Sequence, residues 1–86
     1  MFFVKKTIYV KSPNSRVYKK TNKKPYRYFD KTFREVCDDQ YNFFEKNTRN
    51  KLEVTYSNFG TKRTAIRSFP NGGKIKTVIE EVYDKN

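Results

Sequence analysis

One segment of the chain, residues 31–47, has apolar residues at helical spacing, whereas the segments on both sides alternate with a period of two residues. Thr32 and Glu35 form a T-x-x-E capping box, in which the two side chains satisfy free backbone N–H groups at a helix start. The residues predicted to share one largely apolar face of this helix are Phe33, Val36, Cys37, Gln40 and Phe44. The periodicity therefore favours a single helix packed on strands.

The chain before this helix is predicted to form a β-hairpin. Residues 2–11 alternate as a half-buried strand does, with Lys6 as the one interruption of the apolar side. That side comprises Phe2, Val4, Ile8 and Val10. Residues 12–15, "SPNS", have turn chemistry, so residues 16–20, "RVYKK", are predicted to be the returning strand. The polar stretch 21–25, which ends in proline, is predicted to be an exposed loop.

Two further strands are predicted after the helix. Residues 51–59 alternate strictly, with Leu52, Val54 and Tyr56 directed inward. Gly60 is predicted to lie in a turn, and residues 61–69 in the next strand. The sequence "PNGG" at 70–73 favours a hairpin, because Asn and Gly accept the positive φ values of tight turns.

The last segment, residues 74–84, matches two templates. Its apolar residues fit helical spacing, but its β-branched content and the preceding hairpin turn favour a strand. We predict a strand to about residue 80, with a helix as the alternative.

Together these elements predict an α+β fold in which residues 1–86 form one small domain of order ββ-α-βββ. With one Leu and fifteen Phe and Tyr residues, the core is expected to rely on aromatic side chains. The helix should cover one face of an antiparallel sheet. An aromatic surface on the other face would then be functional.

The net charge of +11 is unevenly distributed along the chain. Residues 1–29 contain nine Lys or Arg and no Asp or Glu, whereas residues 30–86 contain eleven basic and nine acidic residues. A solubilising charge usually mixes both signs. The asymmetry therefore favours an anionic partner, attracted by electrostatic steering and counterion release.

The residue inventory argues against catalysis. The chain has no His, which removes the commonest general base and metal ligand, and its one Cys, Cys37, is predicted to pack in the core. Asp38 and Asp39 are neighbours on the helix and point about 100° apart, so a solvated acidic face is favoured over a metal site. We expect no enzyme activity, no metal, no cofactor and no small-molecule substrate.

A cytoplasmic location is expected. A single Cys allows no intramolecular disulfide, and no apolar stretch reaches the length of a membrane span. The first ten residues are interrupted by Lys5 and Lys6 and have no small-residue cleavage site, so a signal peptide is not predicted.

The stretch at 17–29, "VYKKTNKKPYRYF", interleaves five cations with four aromatic residues. Cations neutralise phosphates and flat rings stack on bases, so this pattern is typical of nucleic-acid binding. Tyr18 and Phe29 are expected to belong partly to the core, Phe29 by packing against the helix. The candidate nucleic-acid-binding residues are Lys19, Lys20, Lys23, Lys24, Tyr26 and Arg27, extended by Arg16, Lys62, Arg63 and Arg67.

RNA or single-stranded nucleic acid is favoured over duplex DNA. The predicted helix is acidic and does not suit a major groove, whereas strands and loops with Tyr suit unpaired bases. The function predicted first is therefore a small, non-enzymatic RNA-binding modulator.

Two alternatives remain. In its size and its Lys, Asn, Tyr and Phe content the chain resembles small early proteins of bacteriophages, which implies an inhibitor that binds a host nuclease, toxin or polymerase, directly or through RNA. In size and charge alone it is similar to ribonucleases of the RelE toxin type, which implies metal-free RNA cleavage. A host protein is thus the second candidate partner.

Overall fold

The computed structural model of the protein describes residues 1–21, 24–46 and 53–83. These ranges contain one helix and an antiparallel sheet of six strands, which confirms the predicted α+β fold. In chain order the elements are β1 (Phe2–Lys11), β2 (Lys19–Lys20), β3 (Tyr26–Tyr28), α1 (Phe33–Lys46), β4 (Glu53–Phe59), β5 (Lys62–Ser68) and β6 (Lys74–Tyr83).

The two longest strands, β1 and β6, lie side by side at the centre of the sheet. They pair antiparallel over all ten residues of each, from Phe2 opposite Tyr83 to Lys11 opposite Lys74. The strand order is β2-β1-β6-β5-β4, and the short strand β3 pairs with the other end of β1, opposite Val4 to Lys6. The basic segment before the helix is thus bound to one edge of β1 in two short pieces.

This edge differs in detail from the prediction. Of the predicted returning strand at 16–20, only Lys19 and Lys20 pair with β1, and a third strand, β3, follows the loop. Thr21 fixes the start of that loop, because its backbone N–H and its hydroxyl both donate to the Ile8 carbonyl, at 3.0 and 3.1 Å. Short pairings of this kind leave no periodic pattern that a sequence could reveal.

For residues 74–84 the predicted strand is confirmed to Tyr83, three residues beyond the predicted end, and the helical alternative is wrong. Pairing with β1 on one side and β5 on the other satisfies the backbone groups of β6, which outweighs the helical spacing of its apolar residues. That spacing arises because β6 buries side chains on both faces: Ile79 is fully buried toward α1, and Val78 is half-buried on the opposite side.

The predicted capping box is present at the start of α1. The Glu35 N–H donates to Thr32 Oγ1 at 3.1 Å, and the Thr32 N–H donates to Glu35 Oε1 at 3.3 Å. The helix buries Val36, Cys37, Gln40 and Phe44, which are four of the five residues predicted to face the core. The fifth, Phe33, is half-buried and packs against the core cluster.

Both turns predicted after the helix are present. Gly60, with φ of 60°, follows Phe59 in the connection between β4 and β5, and Gly72, with φ of 94°, lies between β5 and β6. Residues with side chains rarely adopt such angles. In the second turn the Gly73 N–H donates to Asn71 Oδ1 at 2.9 Å.

Because side chains alternate along a strand, the register divides the sheet residues between two surfaces. We call the surface in contact with α1 the helix face; Val4 and Ile79, at 2% and 0% exposure, form the core there with Val36 and Cys37. We call the opposite surface the open face. It carries Phe3, Lys5, Thr7, Tyr9 and Lys11 of β1, Lys20 of β2, Arg27 of β3, Lys62, Thr64, Ile66 and Ser68 of β5, Lys74, Lys76, Val78, Glu80 and Val82 of β6, and every second residue of β4 from Glu53 to Phe59.

Phe29 was predicted to pack against the helix, but it lies on the other side of the sheet. Its side chain is 61% exposed, and its ring lies 5.4 Å from that of Phe3, which belongs to the open face. It follows Tyr28, which faces α1, so the alternation of β3 carries Phe29 to the opposite side. Leu52 and residues 47–50 lie outside the described residues.

Among the residues that the structure describes, no helix has both the length and the apolar character required to cross a membrane.

Candidate nucleic-acid interface

The candidate residues named from the sequence do not share one surface. Lys20, Arg27 and Lys62 lie on the open face, whereas Lys19 and Tyr26 belong to the helix-face set of β2 and β3. Arg16 and Lys24 are exposed in the segments between strands, and Lys23 lies outside the described residues. The basic stretch is therefore divided between the two sides of the sheet.

Arg63 and Arg67 are placed on the helix face, where both pack against aromatic rings. The Arg63 guanidinium lies 4.2 Å from the centre of the Tyr56 ring and donates to the Cys37 carbonyl at 3.4 Å. The Arg67 guanidinium lies 4.6 Å from the Phe44 ring, and burial lowers the pKa of Arg67. Neither arginine extends the cationic surface of the open face.

On the open face, a cation lies between two aromatic rings. It is near the end of the sheet that carries the turns at residues 12–15 and 70–73. Lys76 of β6 is the direct partner of Tyr9 in β1, and its ammonium nitrogen lies 4.8 Å from the centre of the Tyr9 ring. The same nitrogen lies 4.4 Å from the Tyr18 ring. These distances are within the range of cation–π attraction. We call Tyr9, Tyr18 and Lys76 the tyrosine–lysine cluster.

A second aromatic group, formed by Phe3, Phe29 and Arg27, lies toward the opposite end of β1. The Arg27 guanidinium is 5.7 Å from the Phe3 ring, which is almost fully buried, while Phe29 leaves most of its ring in solvent. Six residues of extended strand separate Phe3 from Tyr9, which corresponds to about 20 Å. The open face thus presents aromatic rings at two places along its length.

The open face is strongly cationic. Its described residues include two carboxylates, Glu53 and Glu80, and seven cations. Lys5 pairs with Glu80 at 3.2 Å, and Lys11 donates to the carbonyls of Ser12, Ser15 and Gly72, which joins two turns. The five other cations form no ion pair with a described residue: Lys20, Arg27, Lys62, Lys74 and Lys76.

On the opposite side of the molecule, the exposed residues of α1 carry four carboxylates and two cations, Arg34 and Lys46. Glu35, Asp38, Asp39 and Glu45 are exposed on α1, which packs on the helix face. A polyanion would thus be attracted to the open face and repelled by the outer side of α1. This charge separation would orient the open face toward a polyanion.

Within residues 1–21, 24–46 and 53–83, no group of three or more acidic or cysteine side chains is placed to hold a metal ion. Cys37 is buried in the core, and burial raises the pKa of its thiol, an effect that nearby Arg63 partly offsets. A raised pKa reduces the thiolate fraction, which suits a packing role rather than a nucleophile.

The candidate residues missing from the sequence prediction are Tyr9, Lys74 and Lys76. Lys74 and Lys76 belong to residues 74–84, for which the sequence left both a strand and a helix open. Only a strand directs these two side chains to the face of the sheet that Ile75 does not occupy. Tyr9 alternates with Ile8 and Val10, so its direction was predicted, but its cationic neighbour comes from β6. Register between distant strands is the information that the sequence lacks.

Comparisons with protein-family models, with curated proteins and with solved structures found no match to this chain. Any functional proposal therefore rests on the geometry and chemistry of the chain itself.

Proposed function

We propose that the protein is a non-enzymatic modulator that binds single-stranded nucleic acid, with RNA favoured, through the open face of its sheet. The tyrosine–lysine cluster is the observation that carries this proposal. Bases stack on aromatic rings regardless of sequence, and a cation beside those rings attracts the phosphates that connect the bases. Lys20 and Lys74 flank the cluster as neighbours of Tyr9 and Lys76 in the sheet.

The shape of the surface supports a single strand over a duplex. A major groove admits a helix or a two-stranded ribbon, but the only helix among the described residues is acidic on its outer side. The open face is instead a broad sheet surface with rings about 20 Å apart, as estimated from strand geometry. An extended strand of several nucleotides can place bases on both aromatic groups while its phosphates pass Lys20 and Lys74.

The proposal is tested by titrating the protein with a labelled twelve-nucleotide RNA, with DNA of the same sequence and with the matching duplex. We expect the single strands to bind more tightly than the duplex, and affinity to fall steeply as salt rises. Five neutralised phosphates would give a slope of about −3.5 in log K against log salt. Tighter duplex binding, or an affinity that is independent of salt, would overturn the proposal.

Tyr9 provides the sharpest variant. Tyr9→Ala removes a stacking ring and is expected to weaken single-strand binding by about 1–3 kcal/mol. Tyr9→Phe keeps the ring and should lose little affinity. Equal losses in both variants would show that the hydroxyl, rather than the ring, makes the contact. Circular dichroism of both variants serves as the control for folding.

A second candidate function is inhibition of a basic host protein through α1. The aromatic residues that are exposed among the carboxylates of this helix favour it. Phe43 and Tyr41 are 59% and 47% exposed on this helix. Capture of a partner from lysate with and without ribonuclease separates the two functions. Loss of the partner after ribonuclease treatment supports RNA as the link, and retention supports direct contact with α1.

A further inference from the structure

The two edges of the sheet are built differently. One edge is formed by the short strands β2 and β3, which pair with β1 over two and three residues. These strands contain Lys19, Lys20 and Arg27, and Pro25 precedes β3. Short strands, lysine and proline are devices by which proteins keep a sheet edge from pairing with another chain. This edge is therefore protected.

The other edge, β4, has none of these devices. It is seven residues long, and it pairs with β5 on one side and with no described strand on the other. Its sequence, "EVTYSNF", contains no Pro, Lys or Arg, although every other described strand contains at least one Lys or Arg. In an antiparallel pair, alternate residues direct their N–H and C=O groups away from the partner strand. The outer edge of β4 thus presents backbone donors and acceptors with which a further strand can pair.

The strand β4 is complementary to a second copy of itself. An antiparallel pair of β4 strands in which residue 56 lies opposite residue 56 pairs all seven residues of each copy, and a shift by two residues leaves two of them unpaired. The pairs in this register are Tyr56 with Tyr56, Thr55 with Ser57, Val54 with Asn58 and Glu53 with Phe59. Aromatic pairs and pairs of Thr with Ser stabilise neighbouring strands, whereas like charges directly opposite each other destabilise them. The register contains both favourable kinds of pair and no pair of like charges.

Phe59 adds a specific contact to this register. It is 87% exposed, more than any other large apolar side chain of the described residues. Lys62 of β5 lies opposite it on one side, and Glu53 of the second copy would lie opposite it on the other. The ring would then be flanked by two side chains of opposite charge on the open face. Neither Glu53 nor Lys62 forms an ion pair with a described residue, so the second copy complements the charge of both.

We propose that two copies of the chain pair through β4 in this register, which joins their two six-stranded sheets into one antiparallel sheet. The two copies are related by a two-fold axis at Tyr56, so the assembly closes as a dimer. Residues directly opposite each other in an antiparallel pair point to the same face. Both open faces therefore lie on one side of the dimer and both copies of α1 on the other. The pairing does not depend on the proposed nucleic-acid function.

The first test is analytical ultracentrifugation of the protein without nucleic acid. A seven-residue strand pair is a small interface, so we expect a dissociation constant on the order of 10 μM. The mass should rise from that of a monomer to that of a dimer as the protein concentration increases from about 1 to 500 μM, and should rise no further. A protein that stays monomeric throughout, or that assembles beyond the dimer, overturns the proposal.

Charge variants of Thr55 and Ser57 test the strand and its register. Both residues are exposed, and Thr55→Lys/Ser57→Lys places like charges directly opposite each other in both of the pairs that they form. The dimer should weaken at least about tenfold. Thr55→Glu/Ser57→Glu should weaken it for the same reason. A mixture of the two variants brings opposite charges together and should restore a dimer that contains one copy of each.

The control variant separates this local effect from the net charge of the chain. Ser12→Lys/Asn14→Lys adds the same charge at exposed turn residues outside β4, and should leave the dimer affinity nearly unchanged. Circular dichroism of every variant monitors folding. A dimer that neither charge variant weakens, or that the control weakens equally, contradicts pairing through β4, as does a mixture of the two charge variants that remains monomeric.

Hydrogen exchange of the unmodified protein gives a second measurement that needs no variant. About half of the β4 amides point outward from the monomer, and these should exchange more slowly as the protein concentration rises through the dissociation constant. Protection that increases with concentration in another element and not in β4 would also contradict the proposal.

Discussion

Lys62 and Arg63 are adjacent in β5, yet they belong to different parts of the molecule. Arg63 faces α1, where it stacks on Tyr56 and donates to the Cys37 carbonyl. Lys62 points to the open face, is exposed, and forms no ion pair with a described residue. Arg67 and Lys76 also lie on different faces, and each stacks on aromatic rings of its own face. How a cation packs therefore follows from the face it occupies rather than from its place in a basic stretch.

The two faces should differ most in their contribution to stability. Ile79 is fully buried against α1, so Ile79→Ala is expected to reduce the free energy of unfolding by about 2–5 kcal/mol. Ile66, half-buried on the open face, is the matched control, and Ile66→Ala should cost about 1 kcal/mol. Urea denaturation measures both. Equal losses would mean that the open face is as much a packed core as the helix face.

The adjacent cations of β5 sharpen the contrast. Arg63→Ala removes a ring contact and a hydrogen bond to α1, and is expected to cost about 1–2 kcal/mol of stability. Lys62→Ala should change stability by less than about 0.5 kcal/mol. For RNA affinity the order should reverse. In binding assays on folded protein, the Lys62→Ala variant should bind RNA more weakly than the Arg63→Ala variant. The same order in both assays would break the comparison.

Much of the fold was predictable because it depends on local patterns. The capping box at Thr32, the inner side of α1 and the turns at Gly60 and Gly72 all follow from short-range sequence. The alternation of β1 also predicted which side of the strand faces the helix. β3 was not predictable, since three residues that pair with Val4 to Lys6 carry no periodicity of their own.

The candidate site was less predictable than the fold. The charge asymmetry of the chain directed attention to residues 16–27, but Lys76, the cation of the tyrosine–lysine cluster, comes from the C-terminal strand. Its contact with Tyr9 depends on the ten-residue register between β1 and β6. Likewise, the placement of Arg63 and Arg67 against aromatic rings depends on the packing of α1. Neither relation leaves a trace in sequence spacing.

The smallest expected effect concerns the pH dependence of the helix face. Burial raises the pKa of the Cys37 thiol above its ordinary value of 9.0, so the unfolded chain loses this proton before the folded one. The contribution of Cys37 to the free energy of unfolding is therefore complete below the pKa of the unfolded thiol. It declines as the pH rises from there through the higher pKa of the folded thiol. We expect Cys37→Ala to remove this decline. Denaturation between pH 7 and 10 compares the slopes, and identical slopes would contradict a buried thiol.

The central claim, that the open face meets the nucleic acid, is tested most directly by two variants of equal charge. Lys74/Lys76→Gln neutralises two open-face cations, and Arg34/Lys46→Gln neutralises two exposed cations of α1. Salt titrations of single-stranded RNA binding compare them with the unmodified protein. The open-face variant should flatten the slope of log K against log salt by about 1.4, whereas the α1 variant should leave it nearly unchanged. Equal flattening in both variants, or a larger effect of the α1 variant, would contradict the account.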